Sequence, residues 1–163
     1  MKTIIVMRHS KTDEQSITGN DFDRKLRKKG IVAAKNASKK MQELGVAPDL
    51  ILTSPAIRAK NTADIIAEQI ELKDSILTKS YLYNRLYTFS EIIDDIISFN
   101  NESKIVLIVG HNPTLEYLCH QIHKQSNETL RTSSGVVFNF DTDKWNDVLN
   151  VESKRVCSFE RED

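Results

Sequence analysis

The sequence predicts an α/β fold, a sheet covered by helices, on three observations. Short apolar runs of strand character alternate with segments of helical period. A strand–turn–helix unit occurs twice, once at Ser54-Pro55 and once at Gly110-His111-Asn112-Pro113. No linker, repeat or low-complexity stretch interrupts the 163 residues, a length suited to one core, so a single domain over residues 1–163 is expected.

The elements follow in order. Lys2 to Met7 reads as a buried first strand. Ala34, Ala37, Met41 and Leu44 recur at helical spacing, so a helix begins near Gly30 and ends at Gly45. Asp49 to Thr53 is a second strand. Ser54-Pro55 then serves as N-cap and first position of a helix with Ala56, Ala59, Ala63, Ile66 and Ile70 on one stripe. Phe89, Ile92, Ile93, Ile96 and Ile97 mark another helix, opened by Thr88 and Glu91 in the spacing of a capping box. Lys104 to Val109 is a third strand, and Asn112-Pro113 turns it into a helix with Leu115, Leu118, Cys119 and Ile122 inward. Val136, Phe138 and Phe140 alternate with their neighbours in a late strand, which Val151 to Phe159 joins as an antiparallel hairpin.

Composition excludes several classes. Hydrophobic residues make up 39% and charged residues 28%, with five Gly and three Pro, which is not the make-up of a disordered or fibrous chain. Lys plus Arg and Asp plus Glu are 23 each, so no general attraction to nucleic acid or to an anionic membrane is expected. Anion binding must be local. Two cysteines, Cys119 and Cys157, lack the density of a disulfide scaffold and the spacing of a metal site. With no membrane span and no secretory segment, a cytoplasmic protein is the expectation.

The chemistry gathers where strands end. Arg8-His9 follows the first strand, Arg58 lies in the first turns of the helix after the second, and His111 follows the third. Ligands bind outside the carboxyl ends of strands in α/β sheets, so these residues can converge across more than one hundred positions. Two arginines and two histidines suit a phosphoryl group: guanidinium forks bind its oxygens bidentately, and the helix starts after Ser54 and Asn112 add N–H groups. A histidine among cations is neutral near pH 7 and can attack phosphorus. The second histidine, protonated, would donate to the phosphoryl oxygens. Ser10 and Asn112, next to the two histidines, complete the expected phosphate-binding set.

At this point the sequence resembles a known family. Val-Met-Arg8-His9-Ser10-Lys11 is similar to the Arg-His-Gly signature of the histidine phosphatase superfamily. Asp21-Phe-Asp23-Arg24-Lys-Leu26 with Gly30, then Thr53-Ser54-Pro55-Ala-Ile-Arg58 with Thr62, then Val109-Gly110-His111-Asn112-Pro113, appear in that family's order. The chain most resembles the short SixA-type protein-phosphohistidine phosphatases. The resemblance implies a three-layer α/β/α sandwich of phosphoglycerate-mutase-like type with a mostly parallel central sheet. It implies His9 as nucleophile, forming a covalent phosphohistidine, Arg8 and Arg58 as phosphate ligands and His111 as the second pocket histidine. It also implies a phosphatase that needs no metal or cofactor and acts on a histidine-phosphorylated protein.

Two departures shape the reading. Ser10 stands where the signature has Gly. Many relatives carry an acidic proton donor in the region of Tyr81-Leu-Tyr83-Asn84-Arg85, which here has no carboxylate; Glu91 is the nearest, and capping explains it better. The imidazole of a phosphohistidine can leave without a dedicated acid, which favours that substrate. A phosphomonoesterase of small metabolites and a phosphate-binding module without turnover are the alternatives. Glu116, His120 and His123 at helical spacing read as a solvated face in preference to a metal site. The basic run Arg24, Lys25, Arg27, Lys28 and Lys29 reads as solvated surface in preference to a steering patch. Asp23-Arg24 and Ser134-Gly135 are placed at the possible border of the pocket.

Overall fold

Six strands form one sheet in the computed structural model, which describes residues 1–161. They are β1 (Lys2–Arg8), β2 (Leu50–Thr53), β3 (Ile76–Thr78), β4 (Ile105–Gly110), β5 (Gly135–Phe140) and β6 (Ser153–Phe159). The order across the sheet is β3-β2-β4-β1-β5-β6. The first four in that order run parallel; β5 is antiparallel to β1, and β6 to β5. This is the expected mostly parallel sheet with its closing hairpin. Five helices cover it: α1 (Lys28–Glu43), α2 (Ile57–Gln69), the single turn α3 (Tyr81–Asn84), α4 (Phe89–Asn100) and α5 (Thr114–Ile122).

The strands are apolar on both sides because both sides are covered. On one face Ile4, Val6, Leu52, Val106, Ile108 and Phe138 pack under Ile92, Ile93 and Ile96 of α4 and Leu115 and Leu118 of α5. On the other, Ile5, Met7, Ile51, Leu107 and Val109 pack against Ala37 and Met41 of α1 and Ala59, Ala63 and Ile66 of α2. The result is the expected three-layer α/β/α sandwich. Among the described residues no helix is long and apolar enough to cross a membrane.

Helix starts differ from the sequence pattern where the site intervenes. The second helix opens at Ile57 rather than at Ser54-Pro55, because the Ser54 hydroxyl meets only the Ala56 N–H and turns otherwise to a histidine. The fifth opens at Thr114 rather than at Asn112-Pro113, since the Asn112 side chain reaches sideways to Glu116 and to the Leu130 carbonyl. The first opens two residues before Gly30, which is pressed onto Lys11: a Cβ at Gly30 would lie 2.1 Å from the Lys11 carbonyl oxygen. The capping box of Thr88 and Glu91 forms as expected. Strand β3 and helix α3 leave no periodic trace in the sequence: a strand of three residues, none of them buried, and a single turn are too short to show a period.

Candidate active site

Parallel pairing of β1, β4 and β2 brings three carboxyl ends to one edge. Arg8 lies opposite Gly110 in the ladder, so His9 and His111 leave neighbouring strands together. Backbone bonds continue past the strand ends: His9 N–H donates to the Gly110 carbonyl at 3.1 Å, and Ser54 N–H to the Val109 carbonyl at 3.1 Å. The two imidazole rings stand 5.1 Å apart. Arg58, the second residue of α2, points its Nε at His9 Nε2 over 3.3 Å. Arg8, His9, Arg58 and His111 together line a cavity of about 340 Å³ with Lys11, Arg24 and Asn112 among its walls. The four residues read from separate segments of sequence thus meet in one pocket.

Hydrogen bonds fix the state of His9. Its Nδ1 faces the Ser10 carbonyl at 2.8 Å, an acceptor only, so Nδ1 carries the proton. Nε2 keeps its lone pair, which accepts from Arg58 Nε, so this bond has to open before Nε2 can attack a ligand. Burial, with His111, Arg58 and Arg8 adding to it, pushes the His9 pKa down to about 3 against the pull of the Ser10 carbonyl. The ring is a neutral base, and burial rather than the surrounding cations is the main cause.

His111 is a different case from the sequence reading, which had it protonated. Burial and Arg58 push its pKa down to about 4, so it too is neutral near pH 7. Its Nε2 lies 2.8 Å from the Ser54 hydroxyl. That oxygen also accepts from Ala56 N–H, and a hydroxyl with two lone pairs and one proton suits either neutral tautomer of His111. Nδ1 is buried and, among the described residues, has no protein partner; the same holds for Arg8 Nε. The Arg8 Nη1 is taken by the Leu130 carbonyl at 3.2 Å.

Arg58 already has an anion. Its Nη2 meets the Asp21 carboxylate at 2.8 Å and its Nη1 the Asp21 carbonyl at 2.7 Å. Arg24 holds the other carboxylate oxygen of Asp21 at 3.0 Å, and the Tyr83 hydroxyl donates at 3.4 Å to the oxygen that Arg58 holds. Partial burial opposes the change, but the bonds from Arg24 and Arg58 keep the Asp21 carboxyl below the usual carboxylate range. Sequence reading quoted Asp21 without giving it a role. A buried arginine needs a counter-charge, and that was the signal available.

Ser10 and Asn112 sit at the site without offering it free donors from their side chains. Asn112 Nδ2 donates to Glu116 and to the Leu130 carbonyl, both at 2.8 Å. Ser10 is fully buried, its hydroxyl on Ser133 and its N–H on Thr62 Oγ1. Thr62 in turn donates to the Arg58 carbonyl at 2.7 Å, tying α2 to the turn that carries His9. Ser133 and Thr62 are supports that sequence patterns did not single out.

Residues 4–80 match the model of the histidine phosphatase superfamily (branch 1). An uncharacterized protein of Picosynechococcus sp. is 38% identical over 60 residues, which span 37% of this chain and 36% of that protein. Among solved structures, one described as phosphohistidine phosphatase SixA from Nakamurella multipartitia superposes with a TM-score of 0.80 at 19% identity, over 98% of this chain and 96% of its own. The protein histidine phosphatase SixA complexed with tungstate gives 0.77 at 18% identity, over 96% and 95%. The chain is histidine-phosphatase-like in sequence and SixA-like in fold. A mycobacterial glucosyl-3-phosphoglycerate phosphatase has the same fold at a TM-score of 0.71 and 14% identity, over 95% and 97%, so the fold leaves the substrate open. The superfamily match ends before His111, whose place in the site rests on geometry.

Within this histidine-phosphatase-like frame the remaining candidates fall into place. Glu91 pairs with Arg85 and the Thr88 N–H, which hold its carboxyl down at about 2; it caps α4 and does not line the cavity. Among the described residues no His, Cys, Asp and Glu cluster could hold a metal. Glu116 braces Asn112 and Leu130 rather than facing solvent, and His123 meets Ser153. In the basic run, Arg24 turns into the cavity wall while Lys25, Lys28 and Lys29 are exposed.

Proposed function

We propose that the protein is a phosphatase that removes the phosphoryl group from phosphohistidine on a protein partner, through a covalent phosphohistidine at its own His9. The observation that carries this reading is the fixed Nδ1–H form of His9, which leaves Nε2 as a neutral nucleophile between two arginines. His9 Nε2 forms the bond to phosphorus while the bond from phosphorus to the substrate ring breaks; that ring, protonated from solvent at its other nitrogen before the step, leaves as neutral imidazole. Water then attacks the phosphoryl group on His9, and inorganic phosphate departs. Arg8 and Arg58 neutralise charge on the phosphoryl oxygens in both steps, with His111 beside them. Ser10 and Asn112 act as braces.

A protein substrate is supported by the likeness to SixA structures and by the missing acid. The region Tyr81–Asn84 places Tyr83 against His111 and carries no carboxylate, and Asp21 is held ionised by two arginines. An alkyl phosphate needs an enzyme acid to protonate its leaving group at the moment of cleavage; phosphohistidine can take its proton from solvent beforehand, on the free ring nitrogen. The proposal includes a cytoplasmic setting and a reaction without metal or cofactor.

The test is rapid alkaline-quench trapping with labelled phosphohistidine protein, phosphoramidate and sugar phosphates as a substrate panel. Acid-labile, base-stable label on His9, absent in His9→Ala, is the expected result, with phosphohistidine and phosphoramidate turned over about a hundredfold faster than alkyl phosphates. Label on a serine, or equal rates on sugar phosphates, overturns it.

A further inference from the structure

The turn that carries His9 is held from behind by the loop before β5. Ser133 N–H donates to the carbonyls of Arg8 and His9, each at 3.2 Å, and Arg8 N–H donates back to the Ser134 carbonyl at 3.1 Å. The Ser133 hydroxyl donates to the Ser10 hydroxyl at 2.7 Å, and both side chains are buried. Ser133 has φ of +63°, the left-handed region that glycine enters at no steric cost. The backbone at 133 therefore favours Gly, yet a side chain is present, and its oxygen makes a specific contact. Its partner is Ser10, where the family signature has Gly, and a glycine there could not make the bond.

We propose that Ser133 is a positioning residue for His9: its hydroxyl anchors Ser10, and the Ser10 carbonyl holds the Nδ1–H of the His9 ring so that Nε2 faces the phosphoryl site. The inference rests on the reading of His9 as nucleophile. Each link is short and buried: Ser133 to Ser10 at 2.7 Å, then the Ser10 carbonyl to His9 Nδ1 at 2.8 Å. Thr62 completes the hold by accepting the Ser10 N–H at 3.0 Å. Ser10 is thus bound at its N–H, its hydroxyl and its carbonyl, and it has little freedom to let the ring turn. Small displacements of a reacting atom are costly to rate, so a hold of this kind acts on kcat.

The variants are Ser133→Gly, which deletes the hydroxyl and relaxes the backbone, Ser10→Gly, and the two combined. We expect each single variant to slow phosphorylation of His9 by phosphoramidate about tenfold in single turnover with KM within twofold. The double variant should match the singles, because one hydroxyl pair is lost in all three. The ring nitrogen chemical shifts of His9 should move from a single Nδ1–H form to a mixture of tautomers, while the melting temperature of Ser133→Gly stays at or above the parent value. A Ser133→Gly protein with unchanged rate and unchanged ring shifts overturns the proposal, whatever its stability. A parent enzyme that turns over without labelling His9 overturns the reading beneath it as well, and the two failures are told apart by that label.

Discussion

The carboxylate of Asp21 lies 2.8 Å from Nη2 of Arg58, and the Asp21 carbonyl takes Nη1 of the same guanidinium. Both ends of the fork that a phosphoryl group requires are occupied by one residue of the chain. An incoming anion must exchange with Asp21 or share Arg58 with it. Asp21→Ala is therefore expected to tighten competitive inhibition by vanadate about tenfold, equivalent to about 1.4 kcal/mol, measured at fixed ionic strength. Weaker inhibition would mean that Asp21 serves to hold Arg58 in place.

Arg58→Lys keeps the charge and loses the fork. A single ammonium cannot reach His9 Nε2 and two phosphoryl oxygens in one plane. A loss in kcat/KM on the order of a hundredfold is expected, with little change in melting temperature.

Chelation is predicted to leave turnover intact. Two arginines and an imidazole surround the cavity, and among the described residues no ligand cluster for a metal exists. Activity measured after dialysis against a chelator, with and without added divalent ions, checks this. Restoration by one ion only would require a ligand set that includes the substrate.

Stability should fall on mild acidification. His9 and His111 titrate near 6.5 when unfolded and at about 3 and about 4 in the folded protein. Between those values the unfolded chain binds more protons, so the contribution is complete above 6.5 and is lost as pH drops toward 4 and then 3. Each unit of difference is worth about 1.4 kcal/mol. The melting temperature of the parent should decline between pH 6.5 and 4, and the decline should be shallower in His9→Asn with His111→Asn. An unchanged slope in that double variant would assign the effect to carboxylates.

Gly30→Ala tests how α1 supports the site. The added methyl would meet the Lys11 carbonyl, a backbone atom two residues beyond His9 that also accepts the Arg27 N–H. Destabilisation of about 3 kcal/mol by denaturant unfolding is expected, together with reduced turnover.

Much of this molecule is legible in its sequence, and the boundary is physical. Runs such as Ile4 to Met7 and Val106 to Val109 have to be buried strands, and the periodic alanines of α2 have to face a sheet. The convergence of Arg8, His9, Arg58 and His111 follows from parallel strands alone. What sequence could not show are contacts made across the chain by residues with no pattern of their own: Asp21 on Arg58, Ser54 on His111, Ser133 on Ser10. The protonation of His111 also depended on burial, which no motif records.

The central position of β1 has a consequence for synthesis of the chain. Both its neighbours, β4 and β5, are encoded far downstream; Arg8 and Ile105 are separated by about one hundred residues. On a ribosome working at about 5–20 residues per second, the Ile4 to Met7 segment waits on the order of 5–20 s before any strand that pairs with it emerges. For that interval a stretch that is wholly buried in the folded protein is an unpaired apolar edge, so the yield of folded protein in a cell should depend on chaperones that bind nascent chains.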